Sequence, residues 1–369
     1  MSLSINAKQW VLKTRTEPGH PFNMDSSSPE ASFELKELTL KENSLQDGDI
    51  LIETIYLSND PAQKFWIISA DKNYAAGVAP GEPIPARGLG KVLASNNDKF
   101  PVGALISAQT NWSTHTIIRK EQLGVARVLP MEGVEHLWWY LSVLGGTAVT
   151  AYFIFYRYAD LQDCEPDSHG KTFLISGAAG AVGSMCVQIA ANVFKAKKII
   201  AIAGGPQKVK FVESLAPSVV VGVDYKDPKF SENLLKAAGG ENTVDYFIDN
   251  VGGKILDLGC SLMKPQSTII ACGSISGYND PSQLVFKNYV SVITKRLTIK
   301  GLLLMDNYEK FPEAYAHLTQ WIKDGKIDKD TSATIVDATS DKFNNVPAIW
   351  DGLFHGKNTG KLITKVNEE

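Results

Sequence analysis

Cysteine is scarce in this chain. The four among 369 residues, Cys164, Cys186, Cys260 and Cys272, lie far apart. They form neither the disulfide framework of a small secreted domain nor the CxxC pairs of a structural zinc site. Reduced, buried thiols are the expectation. The six histidines are dispersed and no cysteine precedes Cys164, so no coherent ligand set emerges and no metal is expected. Long runs of one charge are also missing. With 37 basic and 40 acidic residues the net charge is −3, which argues against electrostatic binding of nucleic acid or an anionic membrane. The first residues, Met1 to Trp10, carry neither a signal-peptide apolar stretch nor an Arg-rich transit pattern. A cytoplasmic location is the expectation. Neither a GxSxG elbow nor a Walker-A lysine pattern occurs.

What is present is an apolar fraction of 44%, enough for a sizeable core and too much for a disordered chain. One uncharged run, Leu137–Tyr156, is long enough to span a bilayer as a helix. Its Gly145-Gly146 pair instead suits a break between two buried helices. It is the only such run, and a soluble α/β pattern follows it directly. A buried core segment is therefore expected, and a membrane span is not.

The first part of the chain reads as β-rich. Asp49–Leu57, Gly90–Ala94, Val102–Ala108 and Ser113–Ile118 are short strand-like runs separated by turn residues. After the apolar run the texture alternates. Strands are expected at Lys171–Ser176, Lys198–Ala203, Ser218–Val223, Asp245–Asn250 and Ser267–Cys272, and helices at Ala181–Phe194 and Lys208–Ser214. Repeated βα units imply a parallel sheet covered by helices.

A glycine turn, Gly177-Ala-Ala-Gly180-Ala-Val-Gly183, lies between the first of these strands and its helix. That is the context of a dinucleotide fingerprint. Gly180 lets backbone approach a pyrophosphate, Gly183 lets helix and strand pack closely, and the helix N-terminus attracts the anion. Ala178 stands at the first glycine position of the common register, so the pattern alone is weak. NAD sites carry an acid about 20 residues further on. Here the stretch reads Ala203-Gly-Gly-Pro-Gln-Lys208, without an acid and with a lysine able to meet a 2′-phosphate. NADPH is favoured over NADH.

Several segments together resemble the medium-chain dehydrogenase/reductase superfamily, specifically its zinc-independent leukotriene/prostaglandin and alkenal reductase branch. They are Leu57-Ser-Asn-Asp-Pro61, Gly146-Thr-Ala-Val-Thr-Ala-Tyr152, Ser176–Ser184, Val223-Asp-Tyr-Lys226, Asp249-Asn-Val-Gly-Gly253, Ala271–Asn279 and Gly356-Lys-Asn-Thr-Gly-Lys361. The resemblance implies an α/β protein with a GroES-like β-rich substrate domain, residues 1–140 and 328–369. A Rossmann domain with a doubly wound parallel sheet, residues 141–327, would bind NADPH. It further implies a homodimer and reduction of a carbon–carbon double bond conjugated to a carbonyl. Carried onto matching positions, Lys208 and Tyr225 would hold the 2′-phosphate end. Thr150, Gly180, Ala181, Val182, Gly183, Gly204, Asn250, Cys272, Gly273, Ile275, Tyr278, Leu302, Leu304 and Asn358 would line the cofactor, with Leu302–Leu304 as a strand. Asn59, Ala62, Phe65, Trp66 and Tyr278 would line the substrate pocket. Many family members have Tyr where this chain has Ala62, so any contact made by that ring is absent here.

Hydride addition to the β-carbon of an enone or enal produces an enolate. The protein must orient that carbon and stabilise the charge developing on oxygen; the cofactor carries the hard chemistry. Tyr278 is the expected hydrogen-bond donor, because the resemblance implies that its position lies near the active site and a tyrosine with its ordinary pKa of ~10 is protonated at neutral pH. Two other readings stand beside this one. They are an NADPH-dependent quinone reductase, and an NADPH-binding regulatory or membrane-associated protein with little catalysis.

Overall fold

The computed structural model describes residues 3–68, 77–163, 165–330 and 333–369, so Cys164 lies outside the described residues. The chain forms two compact units. The first comprises Met1–Leu141, Thr334–Asn358 and Leu362–Glu369; the second comprises Ser142–Ala333 and Thr359–Lys361.

The first unit is built on strands. β1 (Ser4–Leu12) and β2 (Phe33–Lys41) pair antiparallel, with Trp10 opposite Leu35. β3 (Ile50–Ser58), β4 (Arg87–Ser95), β5 (Leu105–Gln109), β6 (His115–Ile118) and β7 (Arg127–Val128) form a second sheet with β14 (Ala333–Asp337) and β15 (Lys361–Lys365). Its order is β14-β15-β3-β4-β5-β7, with β6 also on β3. β3 is buried along nearly all its length. Both of its faces accordingly carry apolar side chains, with Glu53 the one position that is not fully buried. Short helices α1 (Gln63–Ile67) and α9 (Val346–Asp351) complete the unit. An aromatic core of Trp10, Phe22, Phe33, Trp112 and Trp350 lies here, with the Trp112 and Trp350 rings 5.6 Å apart, edge to face.

The second unit holds six parallel strands: β8 (Thr172–Ile175), β9 (Lys198–Ala203), β10 (Val220–Asp224), β11 (Val244–Asp249), β12 (Met263–Ala271) and β13 (Thr298–Gly301). Their order is β10-β9-β8-β11-β12-β13. This is the 3-2-1-4-5-6 order of a Rossmann sheet, which reverses direction between β8 and β11. The helices are α2 (Gly146–Phe153), α3 (Ala181–Gln188), α4 (Pro206–Ser214), α5 (Phe230–Ala238), α6 (Gly253–Leu262), α7 (Tyr289–Thr294) and α8 (Phe311–Lys323). β8 is wholly buried, and Leu174, Ile200, Ile202, Phe247 and Ile269 form the centre of the core.

The apolar run resolves at its glycines. Leu137–Tyr140 makes a 3₁₀ turn, Gly145 is extended, and α2 begins at Gly146. Among the described residues no helix is long and apolar enough to cross a membrane. Two expected elements differ in detail. The helix expected over Ala181–Phe194 is regular only to Gln188 and ends in a π turn, Ile189–Val193. Leu302–Leu304 is not a strand: β13 ends at Gly301, Leu302 N–H still donates to Ala271 O at 3.0 Å, and a 3₁₀ turn starts at Leu304.

Candidate active site

In a doubly wound sheet, ligands bind beyond the carboxyl ends of the strands where their order reverses. Here that point is the end of β8 and β11, and the glycine turn occupies it. Gly177 has φ +58°, a left-handed conformation that favours glycine. Its carbonyl accepts from Gly180 N–H at 2.9 Å, and Ala178 N–H donates to Ile202 O of β9 at 2.9 Å. A Cβ on Gly183 would collide with Gly177 O and lie 2.7 Å from the Ala178 Cα. Both obstacles are backbone. Only glycine permits α3 to start this close to β8. Gly180 is the N-cap and carries no capping side chain, leaving the first-turn N–H groups of α3 oriented past it. The residues therefore fit a pyrophosphate cradle. Gly360 of the C-terminal segment joins this turn, its N–H donating to Ala179 O at 2.8 Å.

The neighbouring βα turn is organised by an acid that sequence reasoning left without a role. Asp224, at the end of β10, accepts from Gly205 N–H at 2.8 Å and Lys226 N–H at 2.9 Å. Tyr225 N–H donates to Ala203 O at 3.0 Å, and the exposed Tyr225 ring covers Gly204 so closely that a Cβ there would be 2.6 Å from it. Lys208 sits on the first turn of α4, half-buried. Burial, and then the charge of Lys226, lower its pKa. No carboxylate among the described residues pairs with either lysine. Two lysines, one on the first turn of α4 and one just after β10, supply positive charge that fits a dianionic phosphate. Lys226 was missed because it follows the third strand rather than the second; reading the end of β10 as closely as that of β9 would have found it.

The other residues expected at the cofactor lie mainly on the loops after β11 and β12. Cys272 and Gly273 N–H groups donate to Asp249 O at 2.8 and 3.1 Å, and Ile275 N–H to Asn250 O at 3.4 Å. Burial and the Asp249 carboxylate push the Cys272 thiol up to about 12, so it is a neutral thiol and a poor nucleophile. Tyr278 is half-buried and follows the 3₁₀ turn Ile275–Gly277. That turn is fastened to the β11 loop by the Ser276 hydroxyl, which donates to Val251 O at 2.6 Å. Thr150 is buried in α2 with its hydroxyl donating to Gly146 O at 2.8 Å. Leu302 is buried and Leu304 half-buried. Ala181 and Val182 open α3.

Asn59, Ala62, Phe65, Trp66 and Asn358 belong to the first unit. The Asn59 amide is directed into β15, donating to Thr364 Oγ1 at 2.8 Å and to Leu362 O at 3.4 Å. Ala62, Phe65 and Trp66 are half-buried at α1, and Asn358 is buried. Between Gln63 and Phe65 lies Lys64, which sequence reasoning did not single out and which is 1% exposed. Its ammonium donates to His20 O at 2.6 Å and lies 5.5 and 5.8 Å from the Phe22 and Phe354 rings. Burial pushes its pKa down to about 8, and Asp351 opposes the shift. This buried cation anchors the short helix that carries Phe65 and Trp66.

Fold and site together define a nucleotide-binding oxidoreductase. Residues 8–125 match the family model described as the N-terminal domain of oxidoreductase, and residues 181–321 match the one described as zinc-binding dehydrogenase. Among the described residues, no group of three or more His, Cys, Asp or Glu side chains is placed to hold a metal. An uncharacterized membrane protein of Saccharomyces cerevisiae is 61% identical over 99% of this chain and 100% of its own. The NADP(+)-dependent 2-alkenal reductase of Nicotiana tabacum is 30% identical, with full coverage of both chains. Among solved structures, CurA from Vibrio vulnificus in complex with NADPH superimposes with a TM-score of 0.83. It is 28% identical over 98% of this chain and 100% of that one. The chain belongs to the zinc-independent medium-chain dehydrogenases/reductases, in the branch of the prostaglandin and alkenal reductases.

Proposed function

We propose that the protein is an NADPH-dependent reductase of α,β-unsaturated ketones and aldehydes. The observation that carries this reading is the pairing of an open glycine turn with Lys208, Lys226 and Tyr225 one βα turn away. The names of the tobacco alkenal reductase and of the NADPH-bound CurA point the same way. When bound, NADPH supplies the hydride.

The chain's own residues do the rest. The N–H groups at the start of α3 take the pyrophosphate, and Lys208 and Lys226 neutralise the 2′-phosphate. Asn250, Cys272, Gly273 and Ile275 line the cofactor farther along, with Thr150, Leu302 and Leu304 completing the wall that the second unit supplies. Tyr278 donates its phenolic hydrogen to the substrate carbonyl oxygen as negative charge develops there. Ala62 leaves space beside Phe65 and Trp66 for the substrate's body. Tyr278→Phe is expected to lower enone turnover about 10-fold, equivalent to ~1.4 kcal/mol of transition-state stabilisation. The check is steady-state kinetics under conditions where hydride transfer is shown by a deuterium isotope effect to be limiting. An unchanged rate removes Tyr278 from the mechanism.

A homodimer is part of the proposal. Between Leu284 and Tyr308 the second unit exposes Leu284, Val285, Tyr289, Val290, Ile293, Ile299 and Leu303, a stretch of apolar side chains suited to cover by a second copy. Light scattering should give twice the 40.2 kDa chain mass; a monomer at micromolar concentration rejects the dimer.

A further inference from the structure

A buried polar network in the second unit joins the two strands between which the sheet reverses. Asp249, at the end of β11, is 1% exposed, and Ser176, just beyond β8, is fully buried. The Ser176 hydroxyl donates to Asp249 Oδ1 at 2.6 Å. Val251 N–H donates to Oδ1 at 3.1 Å, and Gly252 N–H to Oδ1 at 3.1 Å and Oδ2 at 3.0 Å. Every one of these partners is a donor, the pattern that satisfies an ionised carboxylate. Burial raises the Asp249 pKa, and the Ser176, Gly252 and Val251 donors oppose the rise.

The same serine holds Asn250 twice. Its hydroxyl oxygen accepts from Asn250 N–H at 2.8 Å, and its carbonyl accepts from Asn250 Nδ2 at 2.8 Å. A carbonyl only accepts, so the amide nitrogen must face Ser176 and Oδ1 must face away. The orientation of this side chain is therefore set from the neighbouring strand, 74 residues earlier in the chain.

We propose that Ser176 and Asp249 are positioning residues that hold Asn250 with its Oδ1 presented as an acceptor for a hydroxyl of the bound cofactor. Neither touches the cofactor; both act through Asn250. The inference rests on the reading that this unit binds NADPH. It differs from a purely structural role for the buried pair, which would lower stability without singling out Asn250.

The test is a double-mutant cycle read as NADPH dissociation constants from fluorescence titration, with melting temperatures in parallel. Ser176→Ala should weaken NADPH about 10-fold in the wild-type background and less than about 2-fold when Asn250→Ala is already present, because the residue through which it acts is gone. Equal losses in both backgrounds overturn the proposal. Should Ser176→Ala not fold, the near-isosteric Asp249→Asn takes its place in the same cycle, with the same two outcomes. A wild-type protein that does not bind NADPH overturns the functional reading and this inference with it; binding with an additive cycle overturns this inference alone.

Discussion

Gly183→Val is expected to abolish NADPH binding and to lower the melting temperature of the protein by about 6–12 °C, the equivalent of about 3 kcal/mol. The expectation comes from what surrounds the missing side chain. A Cβ at this position meets the Gly177 carbonyl and, at 2.7 Å, the Ala178 Cα. Neither can rotate away as a side chain would. Gly177 is already left-handed at φ +58°, and its carbonyl is held by Gly180 N–H. Relief therefore requires α3 to move off β8. That displacement carries its first-turn N–H groups away from the position where a pyrophosphate would be met. Gly183→Ala should show the same losses in smaller measure. A valine variant melting within about 2 °C of wild type, on a scale where 1 kcal/mol is about 2–4 °C, would mean that the close approach is not required.

Lys208→Ala should weaken NADPH about 30-fold, near 2 kcal/mol for a charge-assisted contact, while NADH affinity changes less than about 3-fold. Lys226→Ala should act in the same direction with a smaller effect, because Lys226 is the more exposed of the two. The electrostatics add a sign that can be checked. In the free protein, burial and Lys226 hold the Lys208 pKa below its ordinary value. A bound phosphate dianion favours the charged ammonium and raises it. Binding then takes up a proton, so NADPH affinity should fall as pH rises through the interval between the free and bound values. Lys208→Ala should flatten that dependence. Equal losses for NADPH and NADH reject the phosphate contact.

Much of the nucleotide-binding fold could be read from local sequence. Lys198–Ala203 is β9 from end to end, because a fully buried parallel strand is a short unbroken apolar run between turn signals. The glycine turn was legible for a similar reason: steric permission is a property of the residue itself. Partnerships across strands were not. Asp249 and Ser176 were visible as letters in two separate motifs, but their hydrogen bond depends on β8 lying beside β11, which the strand order decides. Lys64 was hidden differently. A lysine within Gln63-Lys-Phe-Trp66 reads as solvated, and only the packed Phe22 and Phe354 rings show it enclosed. Leu302–Leu304 was expected as a strand only because the family resemblance implied one there. Pairing with β12 ends at Gly301 opposite Ala271, and the chain turns.

In the proposed reaction this chain transfers hydride from NADPH to a carbon–carbon double bond conjugated to a carbonyl. Its most direct test is NADPH oxidation with a panel of enones, enals and quinones, with products identified by mass spectrometry using NADPH deuterated at the nicotinamide C4. Turnover of the enones and enals, deuterium on the former β-carbon, an intact carbonyl, and little activity with NADH are expected. Deuterium at the carbonyl carbon, turnover confined to quinones, or NADPH binding without oxidation against any member of the panel would contradict the proposed reaction.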